Sequence, residues 1–368
     1  MGPIQCNSTA VAAGRNSGDG RLIRAVVSAA MLNLAGVACA PNLALADEGG
    51  VSFWLPGQFG SLAAAPQVPG WSLANVYYHA SVSAGGDVAA ARQFTIGRFT
   101  RTATIDLNAS VKGRADIDFL SANYVFAPPV LGGQLAVGLG GAAGHNSTSI
   151  DGTLTVSIGS LTATRMGSLS DGRSGFSDLY PQASLRWNSG VSNYMVYLMG
   201  DLPVGTYDST RLANFGIGHG AIDGGVGYTY FNPQTGHELS IVTGLTGNFV
   251  NPSTNYQNGT DWHLDWGVSQ FLTKQLQIGA AGYVYKQLSA DTGAPLILGE
   301  NKSQVVGVGP QIGYLFPVAN MQGYLNLKAY WEFDAQRRAD GWNTWVTFAI
   351  SPAAPPAPVT VSKPMYKK

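Results

Sequence analysis

The sequence is poor in charge. Asp, Glu, Lys and Arg make up 11% of its 368 residues, against roughly 25% in ordinary soluble domains. The 21 basic and 21 acidic side chains cancel, so no basic surface points to nucleic acid. Cysteine is nearly absent: Cys6 and Cys39 are the only two. Neither a disulfide framework nor a cysteine-rich metal site fits that count. Beyond residue 46 no apolar run approaches the 18 or so residues that a spanning helix needs. No fixed repeat recurs along the chain, which argues against a propeller of matching blades.

Other residues are plentiful. There are 48 Gly, 16 Tyr and 8 Trp. Hydrophobic residues reach 45%, yet the mean hydropathy is only +0.06. A chain with few charges, many aromatics and neutral average hydropathy suits a transmembrane β-barrel, in which apolar and polar positions alternate. Lacking a spanning helix, the chain can enter a membrane only as a closed barrel, because open backbone cannot be satisfied in lipid.

The first 46 residues read as a signal peptide. Arg15, Arg21 and Arg24 precede the apolar run AVVSAAMLNLAGVACA, and Ala44-Leu45-Ala46 supplies an A-x-A cleavage pattern before Asp47. An uncleaved anchor is the alternative; Asn33 and Gly36 inside the run favour cleavage. Cys39 as a lipid-acylation site is disfavoured by Gly36, which stands where a large aliphatic residue is usual. Cleavage leaves a mature chain without cysteine.

Period-2 alternation then recurs. In ATIDLNASVK, Ala103, Ile105, Leu107, Ala109 and Val111 fall on one face. In GYLNLKAYWEFD, Leu325, Leu327, Ala329, Trp331 and Phe333 alternate with Asn326, Lys328, Tyr330, Glu332 and Asp334. About fourteen such runs fit between residues 72 and 351, with 12 to 16 admissible. Turn signals such as KGRAD, WNSG, NPQTG and LTKQL separate them. Aromatics gather at run ends, as in YTYF and WNTW, which is the pattern of interfacial girdles. The expected fold is an all-β, antiparallel, transmembrane β-barrel of outer-membrane type. Two segments fall outside it. Residues 47–71, with FWLPGQFG, read as an irregular segment suited to folding into the lumen. Residues 352–368 read as a Pro-rich tail.

Several stretches resemble the outer-membrane family known for the MetA pathway of phenol degradation, with SphA-like transporter barrels. They are EGGVSFWLPGQFG, GDLPVGTYD, RLANFGIGHGAIDGGVGYTYFNPQTGHELS, NYQNGTDWHLDWGVSQFL, GPQIGYLFP and WEFDAQRRADGWNTWVTF. The resemblance implies an outer-membrane barrel for uptake of aromatic or other hydrophobic compounds, and it brings no catalytic residues. One departure stands out. Such barrels usually end on an aromatic residue of the last strand, whereas this chain continues past Phe348 and Ile350.

The stretch DWHLDW holds two carboxylates and an imidazole. On a strand, Asp261, His263 and Asp265 share one face and Trp262, Leu264 and Trp266 the other. Same-face neighbours lie about 7 Å apart, too far to share one metal ion unaided. These three are expected to line the lumen, solvated by water, with the tryptophans toward lipid. Lys328, Glu332 and Asp334 are expected on the inward face of a later strand. Phe53, Trp54 and Phe59, in a segment with no strand role, are expected to offer apolar contacts to a solute. His145-Asn146-Ser147 places a histidine and a serine on one face, the only hint of barrel chemistry on lipid; it reads better as an exposed loop. His237-Glu238 reads as a solvated strand start, and His79 and His219 show no partner in sequence. No cofactor or metal is expected. The expected partners are outer-membrane lipid, hydrophobic or aromatic small molecules and the barrel-assembly machinery. The expected function is an outer-membrane channel for such solutes. A general diffusion porin and a lipid-acting barrel enzyme are the alternatives.

Overall fold

The computed structural model describes residues 7–11, 52–96, 99–158, 161–293 and 302–353. The expected leader (1–46) and Pro-rich tail (352–368) otherwise lie outside the described residues. Described strands are β1 (Asn7–Val11), β2 (Gly70–Ile96), β3 (Phe99–Val125), β4 (Gln134–Ile158), β5 (Leu161–Phe176), β6 (Tyr180–Ser189) and β7 (Ser192–Gly200). They continue as β8 (Ala221–Phe231), β9 (His237–Asn248), β10 (Asp261–Phe271), β11 (Leu276–Gln287), β12 (Gln304–Val318), β13 (Met321–Gln336) and β14 (Asp340–Pro352).

Twelve strands close into an antiparallel barrel. β14 pairs back onto β2, and β4 pairs with β6 from Gln134 to Gly140. Above that point β4 changes partner to β5, an extra strand outside the closed ring. β1, within the expected leader, adds to the edge of β5. The count of fourteen therefore corrects to twelve in the barrel. The excess has a physical source. β2 and β3 are each 27 residues long and β4 is 25, whereas about ten residues cross a membrane. Their alternation continues past the lipid, so one strand reads as two runs. KGRAD, expected as a turn, is continuous β3 opposite Ser83 to His79 of β2.

Register fixes the tilt. Followed from strand to strand, the rung that starts at Trp187 on β6 passes Trp266 and Trp342 and reaches Ser147 on β4. β4 meets the adjacent Arg186 far lower, at Gln134. An offset of about 14 residues over twelve strands gives a tilt of roughly 40°. Gly70 and Pro352 lie at the same end as the short connections 190–191, 232–236, 272–275 and 319–320. The opposite end carries the long connections 201–220, 249–260 and 288–303. Short turns mark the periplasmic end and long loops the outer end.

The barrel is apolar outside and polar within. Leu120, Leu198, Val226, Ile278, Leu325 and Trp331 are exposed on its outer face. Asp223, His263, Gln277, Tyr283, Lys328 and Asn343 are buried within. A soluble protein would invert this order, because apolar area in water is unfavourable. In lipid the outer face is solvated by hydrocarbon, and the inner polar groups need only satisfy each other.

Candidate lumenal site

β2 begins at the periplasmic rim, so the chain before it is placed to turn back into the barrel. Residues 52–69 do so without regular secondary structure, and their backbone groups must find partners other than a strand. The inward side chains supply them. Asp265 accepts from the amides of Gly57 (3.2 Å) and Phe59 (2.9 Å). The Lys328 ammonium donates to the carbonyls of Gly57 (2.6 Å), Gln58 (3.2 Å) and Phe59 (3.2 Å). Glu238 accepts from Leu62 N (2.8 Å), Thr229 Oγ1 from Ala64 N (2.9 Å) and Gln134 from Gln67 N (3.0 Å). Strands on several sides of the wall thus pin one segment.

The turn at Gly57 requires glycine. Its φ is +89°, and a Cβ there would meet the rings of Tyr283 and Tyr330 at 3.0 Å. Close approach of the turn to the wall brings its carbonyls to Lys328.

The segment's rings complete an apolar cluster. Trp54 is 1% exposed, and its ring stacks on His263 with centroids 3.5 Å apart. Phe59 packs against Tyr197 at 5.5 Å and Phe53 against Tyr180 at 5.9 Å. Met199, Ile217, Tyr283 and Tyr330 belong to the same cluster.

Beneath Trp54 lies a polar network. His263 Nε2 meets Asp223 Oδ2 at 2.9 Å and the Tyr197 hydroxyl at 3.3 Å. Thr246 donates to Asp223 at 2.6 Å. The rung Tyr197, Gly225, Gly244, His263 explains the geometry. Two glycines between Tyr197 and His263 leave room for the side chains to lean together.

The structure places the sequence-predicted residues as follows. Asp261, His263 and Asp265 are inward and at most 2% exposed, while Trp262, Leu264 and Trp266 are partly exposed on the other face. The expectation of water around the three is corrected: Trp54 covers His263, the 57–59 turn binds Asp265, and Asn248 donates to Asp261 at 3.0 Å. Lys328 is buried, Glu332 accepts from Tyr283 at 2.7 Å, and Asp334 sits exposed at the rim, accepting from Gln304. Phe53 and Trp54 are buried and Phe59 half-buried, held in the wall cluster.

Other expectations also change. Glu238 is buried on a pinning contact, with only His237 exposed. His145 lies inside β4 and not in a loop; its ring faces Ser174 at 3.0 Å. His79 pairs with Asp116 at 2.6 Å. The sequence pattern did not single out Thr229, Gln134 or Asp223, and put Glu238 in solvent. Glu238 and Thr229 stand in inward phase on their strands, which was the available signal.

At the outer mouth, the 201–220 connection folds inward. Asp178 accepts from the amides of Gly205 (2.7 Å) and Ile217 (2.8 Å). Asp201, just past β7, is 5% exposed, and among the described residues neither carboxylate oxygen has a hydrogen-bond partner. Burial, with Asp178 nearby, pushes its carboxyl up to about 8. Among the described residues no three His, Asp or Glu side chains converge as a metal site.

Comparison with solved structures places the fold. An outer membrane channel from Pseudomonas putida F1 superposes with a TM-score of 0.56 at 12% identity, covering 81% of this chain and 99% of that one. OccK7 (OpdD) of Pseudomonas aeruginosa matches with a TM-score of 0.29 at 12% identity, over 76% of this chain and 98% of that one. No curated protein matches the sequence. The family described as "Putative MetA-pathway of phenol degradation" matches residues 80–348. That is most of the barrel, and the chain belongs to this family.

Proposed function

We propose that the protein is a bacterial outer-membrane channel that admits small hydrophobic, chiefly aromatic, solutes, with residues 52–69 as a lumenal plug. One observation carries this reading: an aromatic segment, pinned to the wall through Asp265 and Lys328, occupies the lumen. A general porin works by an open aqueous path. Here the path is obstructed, and the obstruction presents Phe53, Phe59 and the tyrosines near them. Burying each such ring stabilises the plugged state by roughly 1.5–3 kcal/mol. A solute with its own apolar surface can replace part of that contact, and a polar solute cannot. The family description points to the same solute class.

We read the barrel as a channel and not as an enzyme. The ring of His145 faces Ser174 and not Ser147, and Asp116, across the rung, is already engaged by His79 and Tyr77. No orienting acid is left for a serine nucleophile there.

Deleting residues 51–60 tests the channel reading. Reconstituted barrels should show higher conductance to small ions and weaker selective uptake of aromatic solutes. Unchanged conductance and uptake in an assembled barrel would transfer the argument to the general porin.

A further inference from the structure

The outer mouth holds a carboxylate without a partner. Asp201 points inward from the end of β7, two residues above Met199 and beside Tyr180, its neighbour across the β6–β7 junction. It is 5% exposed, and among the described residues both its oxygens lack hydrogen bonds. A buried carboxylate left so is costly, and nearly all such groups in proteins are paired. Two residues before Tyr180 stands Asp178, whose oxygens are taken by the amides of Gly205 and Ile217. His219 lies near Asp178, with its Nδ1 3.0 Å from the Gly220 carbonyl. Among the described residues neither acid forms an ion pair.

The surroundings are apolar. Phe53 packs on Tyr180, and Met199 and Ile217 belong to the same cluster. A carboxyl that burial keeps protonated while the site is empty, and that ionises beside an arriving cation, matches, among these aromatic and aliphatic groups, a ligand with an apolar body and one positive charge. The ionised carboxylate supplies the counter-charge, and the ring of Tyr180 opposite it, with Phe53 packed on that ring, adds an aromatic quadrupole to which the same cation is attracted. An inorganic cation would gain little from the apolar walls, and an anion would be repelled by both acids.

We infer that Asp201, flanked by Phe53 and Tyr180, is a binding site for the ammonium group of a hydrophobic organic cation entering the barrel. This rests on the reading of the barrel as a hydrophobic channel and adds a preference for amines within it.

Two probes of matched shape separate the claims: phenyltrimethylammonium and tert-butylbenzene. Both are offered to proteoliposomes containing the full chain, and entry is measured as the ratio of the first to the second. Asp201→Asn keeps the volume and removes the charge. Asp118→Asn makes the same change on the exposed outer face and serves as the control. The expected result is a fall in the ratio of about tenfold in Asp201→Asn, as befits loss of one coulombic partner for a cation without N–H donors, with recovery in Asp201→Glu and no change in Asp118→Asn. An equal ratio in Asp201→Asn and wild type overturns the site, as does an equal fall in both asparagine variants. If tert-butylbenzene does not enter through the wild-type barrel at all, the hydrophobic-channel reading itself fails, and the two failures are told apart. Heat-modifiable migration of each variant confirms an assembled barrel before any ratio is read.

Discussion

Lys328→Met should release the plug. The lysine ammonium donates to three consecutive carbonyls at 2.6, 3.2 and 3.2 Å, and the same turn offers two amides to Asp265. Methionine retains most of the stem's apolar volume and removes all three donors. A hydrogen bond to a charged group contributes about 1.5–3 kcal/mol net. Three that share one ammonium do not add fully, and losing a buried charge returns part of its desolvation cost. A net weakening of about 3 kcal/mol follows, which raises the released population roughly a hundredfold.

Ser52→Cys reports this population. Ser52 is buried, and its hydroxyl donates to the Trp54 carbonyl at 2.8 Å. With Cys6 and Cys39 changed to serine, a water-soluble thiol reagent finds only position 52. Its labelling rate follows the open fraction when opening and closing are fast. The rate should rise by about two decades in Lys328→Met, with a parallel rise in single-channel conductance. A labelling rate within twofold of the parent, in a barrel that still assembles, would refute the clamp and the magnitude together.

Three further outcomes are expected. His263→Cys should resist a water-soluble reagent while Trp54 covers it and label readily once residues 51–60 are deleted, whereas cysteines at 262 and 266 should react with a lipid-confined probe in both backgrounds. Gly244→Ala should destabilise the barrel by about 1–3 kcal/mol through overpacking, because the added Cβ would lie 2.3 Å from the Tyr197 hydroxyl and 2.9 Å from the Gly224 carbonyl; the midpoint of urea unfolding in detergent measures it, and an unchanged midpoint would mean the rung relaxes freely. N-terminal sequencing of outer-membrane material should begin at Asp47, and a sequence starting before Ala40 would contradict the A-x-A reading.

The barrel was legible because membrane strands obey one simple pattern. From residue 221 on, the alternating runs start near 221, 236, 258, 275, 302, 320 and 340, and each strand begins within about three residues of one, since alternation there stops where the lipid stops. Between residues 70 and 180 only the runs near 72 and 133 meet strand starts, at Gly70 and Gln134. β2, β3 and β4 rise beyond the membrane and keep alternating in water, and nothing in period-2 patterning marks the water line. KGRAD has the composition of a turn, yet its charges, Lys112, Arg114 and Asp116, all fall on the outer face of a strand. A turn signal is only a local preference, and pairing along 27 residues on both sides outweighs it.

The lumen was legible in phase but not in state. Asp261, His263 and Asp265 could be put on one face from spacing alone. Whether that face meets water depends on a segment about 200 residues away in sequence, and no local pattern encodes such a contact. The segment itself still gave a physical hint. FWLPGQFG is too irregular to satisfy its own backbone and too aromatic to stay in water, so it needs a wall rich in donors and acceptors. The inward phase of this barrel is such a wall, in Asp265, Lys328, Glu238 and Thr229. Side chains that would serve ion selectivity in an open pore here serve as ligands to a peptide. On this argument the polar lining and the aromatic segment are one device. Neutralising the lining should open the channel to ions before it changes which ions pass.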